Sequence, residues 1–222
     1  MSKVALIAGT TGLVGESLLA LLLEYNYYSK VISLQRGQAF FSHPKLVTIQ
    51  TDFTNLEQIN LPQVTDVFCC LGTTIKKAGS KEQFKRVDFQ YPLELAHLAI
   101  KFGASHFLII TAMGANEKSF FFYNQVKGEI ENRLSELTLL PRLSIIRPSL
   151  LLGKRKEKRL GEGIGSNLAA LLKPVMVGSL KKYQGIEATD VAKAMYAIAT
   201  QSSAAGVKIY LSDELKNIAQ TV

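Results

Sequence analysis

Cysteine is close to missing from this chain: 222 residues hold two, Cys69 and Cys70, and they are adjacent. Neighbouring cysteines rarely pair with each other, and no third exists. A disulfide framework is excluded, and a reducing cytoplasm is the expected setting. Histidine is as sparse: His43, His97 and His106 are far apart and share no metal-ligand spacing, so no metal site is expected. Long apolar runs are absent too. The greasiest stretch, Leu18 to Leu23, lies in an amphipathic pattern that Glu24 closes, so no membrane span is expected. Glycines interrupt the apolar run at the N-terminus, which therefore does not read as a secretory signal. No repeat, low-complexity tract or Ser/Pro linker breaks the chain, and one domain over residues 1–222 is the simplest organisation.

Negative charge is in short supply: the net charge is +8, part of it concentrated in Lys154-Arg-Lys-Glu-Lys-Arg159. That run has no interleaved aromatic residues and no nucleic-acid module around it. A phosphorylated cofactor or an acidic substrate accounts for the sign without a nucleic-acid partner, and a solvated loop accounts for it as well.

What the chain does have begins at residue 4. The apolar run Val4 to Ala8 ends in Gly9-Thr-Thr-Gly12-Leu-Val-Gly15, and a helical pattern follows through Tyr25. Strand, glycine-rich turn and helix is the arrangement that cradles a dinucleotide pyrophosphate. Gly9 allows the tight turn, Gly12 lets backbone amides approach the phosphates, and Gly15 lets helix and strand pack closely. The helix start adds unpaired N–H groups and partial positive charge. On this reading Gly9, Thr11, Gly12, Leu13, Val14 and Gly15 form the cradle.

Further along, strand-like runs at 31–34, 46–50, 66–71, 106–111, 143–147 and 207–211 alternate with helical patterns at 13–25, 81–102, 123–137, 168–172 and 189–200. Runs this continuously apolar suit strands covered on both faces. The alternation predicts an α/β fold: a doubly wound, mainly parallel sheet of Rossmann type with helices on both faces. Ligands in such sheets lie outside the carboxyl ends of the strands. The irregular, glycine-rich stretch at about 150–188 follows one such end and is the expected substrate side.

An acidic residue after the second strand of this fold selects NAD by bonding the ribose 2′-hydroxyl, whereas an arginine accommodates the 2′-phosphate of NADP. From Val31 to His43 there is no Asp or Glu, and Arg36 follows the strand. A planar guanidinium grips a phosphate that a carboxylate would repel. NADP(H) is therefore expected over NAD(H). After the third strand, Asp52 and Phe53 stand where a carboxylate can accept from the adenine amine, although Asp is also a common turn residue.

Tyr123-Asn-Gln-Val-Lys127 carries the chemistry. The spacing puts Tyr123 and Lys127 one turn apart on one helix face. A tyrosine exchanges protons poorly at neutral pH, and a neighbouring ammonium favours its phenolate. The structural alternative is a packing aromatic beside a snorkelling lysine. Phe120-Phe121-Phe122, just before, suits a substrate pocket lining or a partner contact.

Together GTTGLVG at 9–15, CCLGTT at 69–74, KAGS at 77–80, RVDFQY at 86–91, MGANEKSFFFYNQVKGEIE at 113–131 and RPSLLLG at 147–153 resemble the short-chain dehydrogenase/reductase superfamily. More closely, they resemble an atypical branch that includes the Tat-interactive oxidoreductase-like proteins. The resemblance spans roughly residues 4–200. It implies that Tyr123 is the general acid/base toward a carbonyl or alcohol and that Lys127 binds the nicotinamide ribose and tunes the tyrosine. It also implies that Leu71, Gly72 and Thr73 line the cofactor and that Pro148 lies near the nicotinamide. Relatives carry a serine pair where this chain has Thr111-Ala112. Thr111 is thus the candidate orienting hydroxyl, and a missing donor of this kind costs on the order of 10²–10³ in rate. In the basic run, Arg155 and Arg159 match a patterned R-x-E-x-R-x-G-E segment of that branch and are candidate contacts for an acidic substrate. The expected partner is a small carbonyl or alcohol, on a monomer or homodimer. The rival expectation is a regulatory protein that binds NADPH without turnover.

Overall fold

The computed structural model describes residues 3–38, 42–153, 184–202 and 204–222. Its centre is a seven-stranded sheet in which every neighbouring pair is parallel. The strands are β1 (Val4–Ala8), β2 (Lys30–Gln35), β3 (Leu46–Gln50), β4 (Asp66–Cys69), β5 (His106–Ile110), β6 (Arg142–Arg147) and β9 (Gly206–Leu211). They lie in the order β3-β2-β1-β4-β5-β6-β9. The chain moves outward from β1 in one direction and then from β4 in the other, which opens a crevice at the carboxyl ends of β1 and β4. Two short strands, β7 (Leu151–Leu152) and β8 (Ile186–Glu187), pair with each other apart from this sheet.

The helices are α1 (Leu13–Glu24), α2 (Ile75–Ala78), α3 (Lys81–Lys85), α4 (Tyr91–Lys101), α5 (Phe122–Ser135), α6 (Ala188–Thr200) and α7 (Ser212–Ala219). Burial on both faces of the sheet follows from the apolar runs. On one face Ile7, Phe68, Leu108 and Ile146 pack with Leu18 and Leu22 of α1, Met195 of α6 and Leu215 of α7. On the other, Leu6, Val67, Phe107 and Ile145 pack with Leu95 of α4 and Ile130 of α5. Burying each such side chain stabilises the fold by roughly 1.5–3 kcal/mol before chain entropy is set against it. No helix among the described residues is long and apolar enough to cross a membrane.

The sequence pattern and the fold differ in several places, the short α2, β7 and β8 among them. Residues 81–102 read as one helix, but a π-helical turn at Arg86–Gln90 separates α3 from α4. The apolar run at 66–71 leaves the sheet after Cys69, because Cys70 and Leu71 turn against Gly9. Finally, α7 is a helix that the pattern did not announce; its eight residues follow directly on β9. The helical pattern at 168–172 lies outside the described residues.

Candidate functional site

The glycine turn has the shape its sequence calls for. Gly9 adopts a φ of +92°, and a Cβ there would sit 2.4 Å from the Cys70 carbonyl oxygen, so only glycine lets β1 close against the end of β4. A Cβ on Gly15 would approach the Gly9 carbonyl oxygen to 2.1 Å, so this glycine sets the close packing of α1 on the turn. Gly12 is different: its Cβ would meet only the Gly9 carbonyl oxygen, at 3.4 Å. The fold leaves room for a side chain there, and the absence of one leaves the approach to the helix start open. Gly12 is the N-cap of α1, and no side chain caps it. Thr11 and Gly12 are exposed, Leu13 is half-buried, and Val14 and Gly15 are buried. The amides of an uncapped helix start are the natural partners of an anion.

Hydrogen bonds tie the neighbouring strand ends to this turn. Thr10 donates to Gln35 Oε1 at 3.0 Å, and the Gln35 amide donates to the carbonyls of Gly37 at 3.2 Å and Gln38 at 2.8 Å. Arg36 is exposed between them, with its carbonyl held by the Gln50 amide at 3.1 Å. Asp52 accepts from the Thr54 N–H at 2.9 Å and the Thr54 hydroxyl at 2.7 Å. Those bonds hold its carboxyl below the usual carboxylate range. Phe53 has a φ of +67°, the one non-glycine residue with positive φ among the described residues. Its ring is buried and stacks on Tyr91 with centroids 5.6 Å apart. A bulky residue held in this conformation marks a backbone whose course is imposed by its surroundings. What Phe53 leaves for a ligand is its main chain, because its side chain is part of the core.

The other half of the site is built by α5 and the π-turn. Lys127 Nζ lies 2.7 Å from Asp88 Oδ1, and both side chains are buried, at 4% and 1% exposure. Asp88 Oδ2 accepts from the Thr73 N–H at 2.9 Å, so one carboxylate joins the lysine to the loop after β4. Gly72 completes the contact: a Cβ there would sit 3.5 Å from Asp88 Oδ1 and 3.9 Å from Lys127 Nζ. Burial works against the ammonium, but the Asp88 carboxylate beside it outweighs that, and the Lys127 pKa lies above the ordinary lysine value. Cys69 beneath them is inert, its thiol pushed up to about 12 by burial. Tyr123 is 36% exposed, and its ring packs on Phe84 with centroids 5.6 Å apart. Phe122 packs on the same ring, whereas Phe120 and Phe121 stand exposed. Gly128 lets the loop after β5 lie on α5, since a Cβ there would meet the Glu117 nitrogen at 2.2 Å.

Thr111 is buried and donates to Glu131, a residue that also takes two hydrogen bonds from Arg147 Nε, at 3.0 and 3.2 Å, and a third from Nη2. The Thr111 hydroxyl is thus engaged by α5, and the next residue, Ala112, has none to offer. Pro148 is buried, and its carbonyl accepts from the Met113 N–H at 3.2 Å, joining the ends of β5 and β6. Leu71 is half-buried against the core. Arg155 and Arg159 lie outside the described residues.

The structure therefore brings together the glycine turn, Leu71 to Thr73, Asp88 and Lys127 around the end of β4. It puts Arg36, Asp52 and Phe53 at the ends of β2 and β3. Three residues missed by sequence reasoning are central: Asp88, Glu131 and Arg147. Glu131 follows Tyr123 and Lys127 at the same four-residue interval, so the face of α5 was legible one turn further. Asp88 carried no such signal, because the π-turn that aims it breaks helical periodicity. A cavity of about 520 Å³ lined by Phe89, Glu117, Glu129 and Asn132 among others includes no residue of the glycine turn and is separate from this site.

This arrangement is a Rossmann-type α/β fold. WbmF from Bordetella bronchiseptica, solved in complex with NAD+, shares the fold with a TM-score of 0.70 at 16% identity, over 99% of this chain and 77% of that one. A short chain dehydrogenase family protein from Francisella tularensis matches with a TM-score of 0.67 at 14% identity, over 96% of this chain and 99% of that one. The chain belongs to the HIM1 family, whose profile matches residues 37–178. Its relatives include Protein HTATIP2 of Rattus norvegicus, 40% identical over 166 residues, 72% of this chain and 68% of that protein. The mitochondrial protein FMP52 of Debaryomyces hansenii is 31% identical over 227 residues, 98% of this chain and 99% of that protein. Several FMP52 relatives are named mitochondrial, which corrects the cytoplasmic placement expected from cysteine usage. Unpaired thiols report reducing surroundings and do not distinguish one such compartment from another.

Proposed function

We propose that this protein is an NADP(H)-dependent oxidoreductase acting on a small carbonyl or alcohol. The observation that carries the reading is the exposed, uncapped start of α1 on a turn where Gly12 leaves space and Gly9 and Gly15 leave none. Those residues fit a dinucleotide diphosphate, and WbmF, with the same fold, was solved with NAD+. Arg36 is exposed beside the turn with no carboxylate near it in sequence, which favours the coenzyme with the 2′-phosphate. When bound, the coenzyme supplies or accepts hydride.

The chain's own residues handle the rest. Gly9, Thr11, Gly12, Leu13, Val14 and Gly15 hold the diphosphate through backbone amides, and Arg36 holds the extra phosphate. Asp52 and the Phe53 main chain meet the adenine, while Leu71, Gly72, Thr73 and Pro148 line the nicotinamide side. Lys127 presents its ammonium to the ribose hydroxyls, one helix turn from Tyr123. Tyr123 gives a proton to the carbonyl oxygen in reduction and takes it back in oxidation. Arg155 and Arg159 are the proposed contacts of an acidic substrate.

A second reading has its own observation. With the Thr111 hydroxyl bound to Glu131 and alanine at position 112, no hydroxyl of that pair is left to polarise a carbonyl. A protein so built binds NADPH and signals through it without turnover. NADPH oxidation over a panel of aldehydes and ketones, wild type against Tyr123→Phe, separates the two. Turnover that falls at least tenfold in the variant supports the enzyme. Tight NADPH binding with no turnover in either supports the regulator.

A further inference from the structure

We infer that Asp88 is the positioning residue of this site: its carboxylate holds the Lys127 ammonium with one oxygen and the Thr73 backbone with the other. The inference rests on the reading of Lys127 given above and goes beyond it by assigning a role to a residue outside the Tyr123–Lys127 pair. Three observations converge. The two oppositely charged groups are 2.7 Å apart and among the most buried polar side chains of the chain. The second carboxylate oxygen accepts from the Thr73 N–H at 2.9 Å, in the loop that leaves β4. Asp88 sits on the π-helical turn Arg86–Gln90, and π-turns recur where a helix must aim a side chain at a functional site.

The chemistry follows from burial. An ammonium out of water with no partner gives up its proton readily. Three titratable groups act on Lys127: Asp88 from the π-turn, Tyr123 from its own helix and Cys69 from β4. Cys69 stays a neutral thiol over the working range. Asp88 is thus the steady source of negative charge. It keeps Lys127 cationic and fixes where that cation stands relative to the Gly72–Thr73 loop.

The test uses the full chain with Asp88→Asn and Asp88→Glu. Side-chain NMR of Lys127, identified by its loss in Lys127→Met, follows the ammonium between pH 6 and 10.5 without any cofactor. Wild type and Asp88→Glu keep Lys127 protonated across the range, and Asp88→Asn releases the proton with a midpoint about one pH unit or more below the ordinary lysine value near 10.4. Amide exchange at Thr73 quickens at least tenfold in Asp88→Asn. NADPH affinity, read by fluorescence, matches wild type near pH 6.5 and falls about tenfold by pH 9.5 in that variant alone. Unchanged Lys127 titration and unchanged Thr73 exchange in Asp88→Asn overturn the inference. Should that variant fail to fold, Asp88→Ser is read in the same way. If wild type binds no NADPH while Lys127 titrates as stated, the oxidoreductase reading fails and the role of Asp88 stands.

Discussion

Thr111, at the end of β5, gives its hydroxyl proton to Glu131 on α5, and Glu131 in turn holds Arg147 at the end of β6. One buried carboxylate thereby fixes the carboxyl ends of two strands to the helix that carries Tyr123 and Lys127. The bond also takes the one hydroxyl of the Thr111-Ala112 pair out of service as a donor to substrate.

Thr111→Val tests that assignment. Removing a donor from a buried carboxylate costs about 1–3 kcal/mol. Chemical denaturation is expected to show a loss of this size with NADPH affinity within about threefold of wild type. The converse change, Ala112→Ser, restores a hydroxyl to the second position. If the site is an enzyme short of one orienting donor, turnover in the carbonyl panel rises on the order of 10²-fold.

Gly15 and Gly12 of the turn are expected to separate cleanly. A methyl on Gly15 collides with backbone, so Gly15→Ala is expected to lose about 1–3 kcal/mol of stability. A methyl on Gly12 meets only ordinary contact within the fold, so Gly12→Ala is expected to lose about 1 kcal/mol or less. NADPH affinity should nonetheless fall at least tenfold in Gly12→Ala. Thermal denaturation with and without NADPH reads both quantities.

On the proposed reading, Arg36 holds the extra phosphate of NADPH. A charge-assisted hydrogen bond to a phosphate contributes about 1.5–3 kcal/mol, so Arg36→Ala is expected to weaken NADPH about 10- to 100-fold and to leave NADH within about threefold. Equal losses for the two coenzymes would remove Arg36 from recognition of the extra phosphate.

At the opposite, amino end of the sheet, Asp66, His106 and Ser144 form a buried row unrelated to the site. Tyr28 donates to Asp66 at 3.0 Å, and His106 Nε2 shares a 2.8 Å hydrogen bond with Ser144. Burial lowers the His106 pKa to about 3 and raises that of Asp66 to about 6. The signs are opposite. His106 is less basic folded than unfolded, so its contribution is present above about pH 6.5 and is lost as pH falls toward 3. Asp66 is less acidic folded than unfolded, so its contribution is present below about pH 4 and is lost as pH rises through 6. Relative to wild type, His106→Asn should therefore gain stability as pH falls from 6.5 to 4. Asp66→Asn should gain as pH rises from 4 to 7. Urea midpoints across that range check both slopes.

Much of the molecule was legible because its signals are local. Continuous apolar runs gave the strands of a two-faced parallel sheet, and Gly9, Gly12 and Gly15 marked a turn in which Gly9 and Gly15 meet a steric demand of the fold. Tyr123 and Lys127 were legible from helical spacing. Asp88, Glu131 and Arg147 were not. Each acts through a partner at least fifteen residues away in sequence or on a helix turn that departs from regular periodicity. Thr111 shows the same limit from the other side: it was expected as an orienting hydroxyl, but the partner of that hydroxyl, Glu131, is chosen by tertiary packing. Phe53, expected beside the cofactor, gives its ring to the core because a positive φ turns it inward onto Tyr91.

Equilibrium titration of the wild-type chain with NADPH and with NADH, repeated on Gly12→Ala, tests the central claim most directly. Saturable NADPH binding, at least tenfold tighter than NADH and at least tenfold weaker in Gly12→Ala, is the predicted result. Affinity for neither coenzyme, or binding that Gly12→Ala leaves untouched, would contradict it.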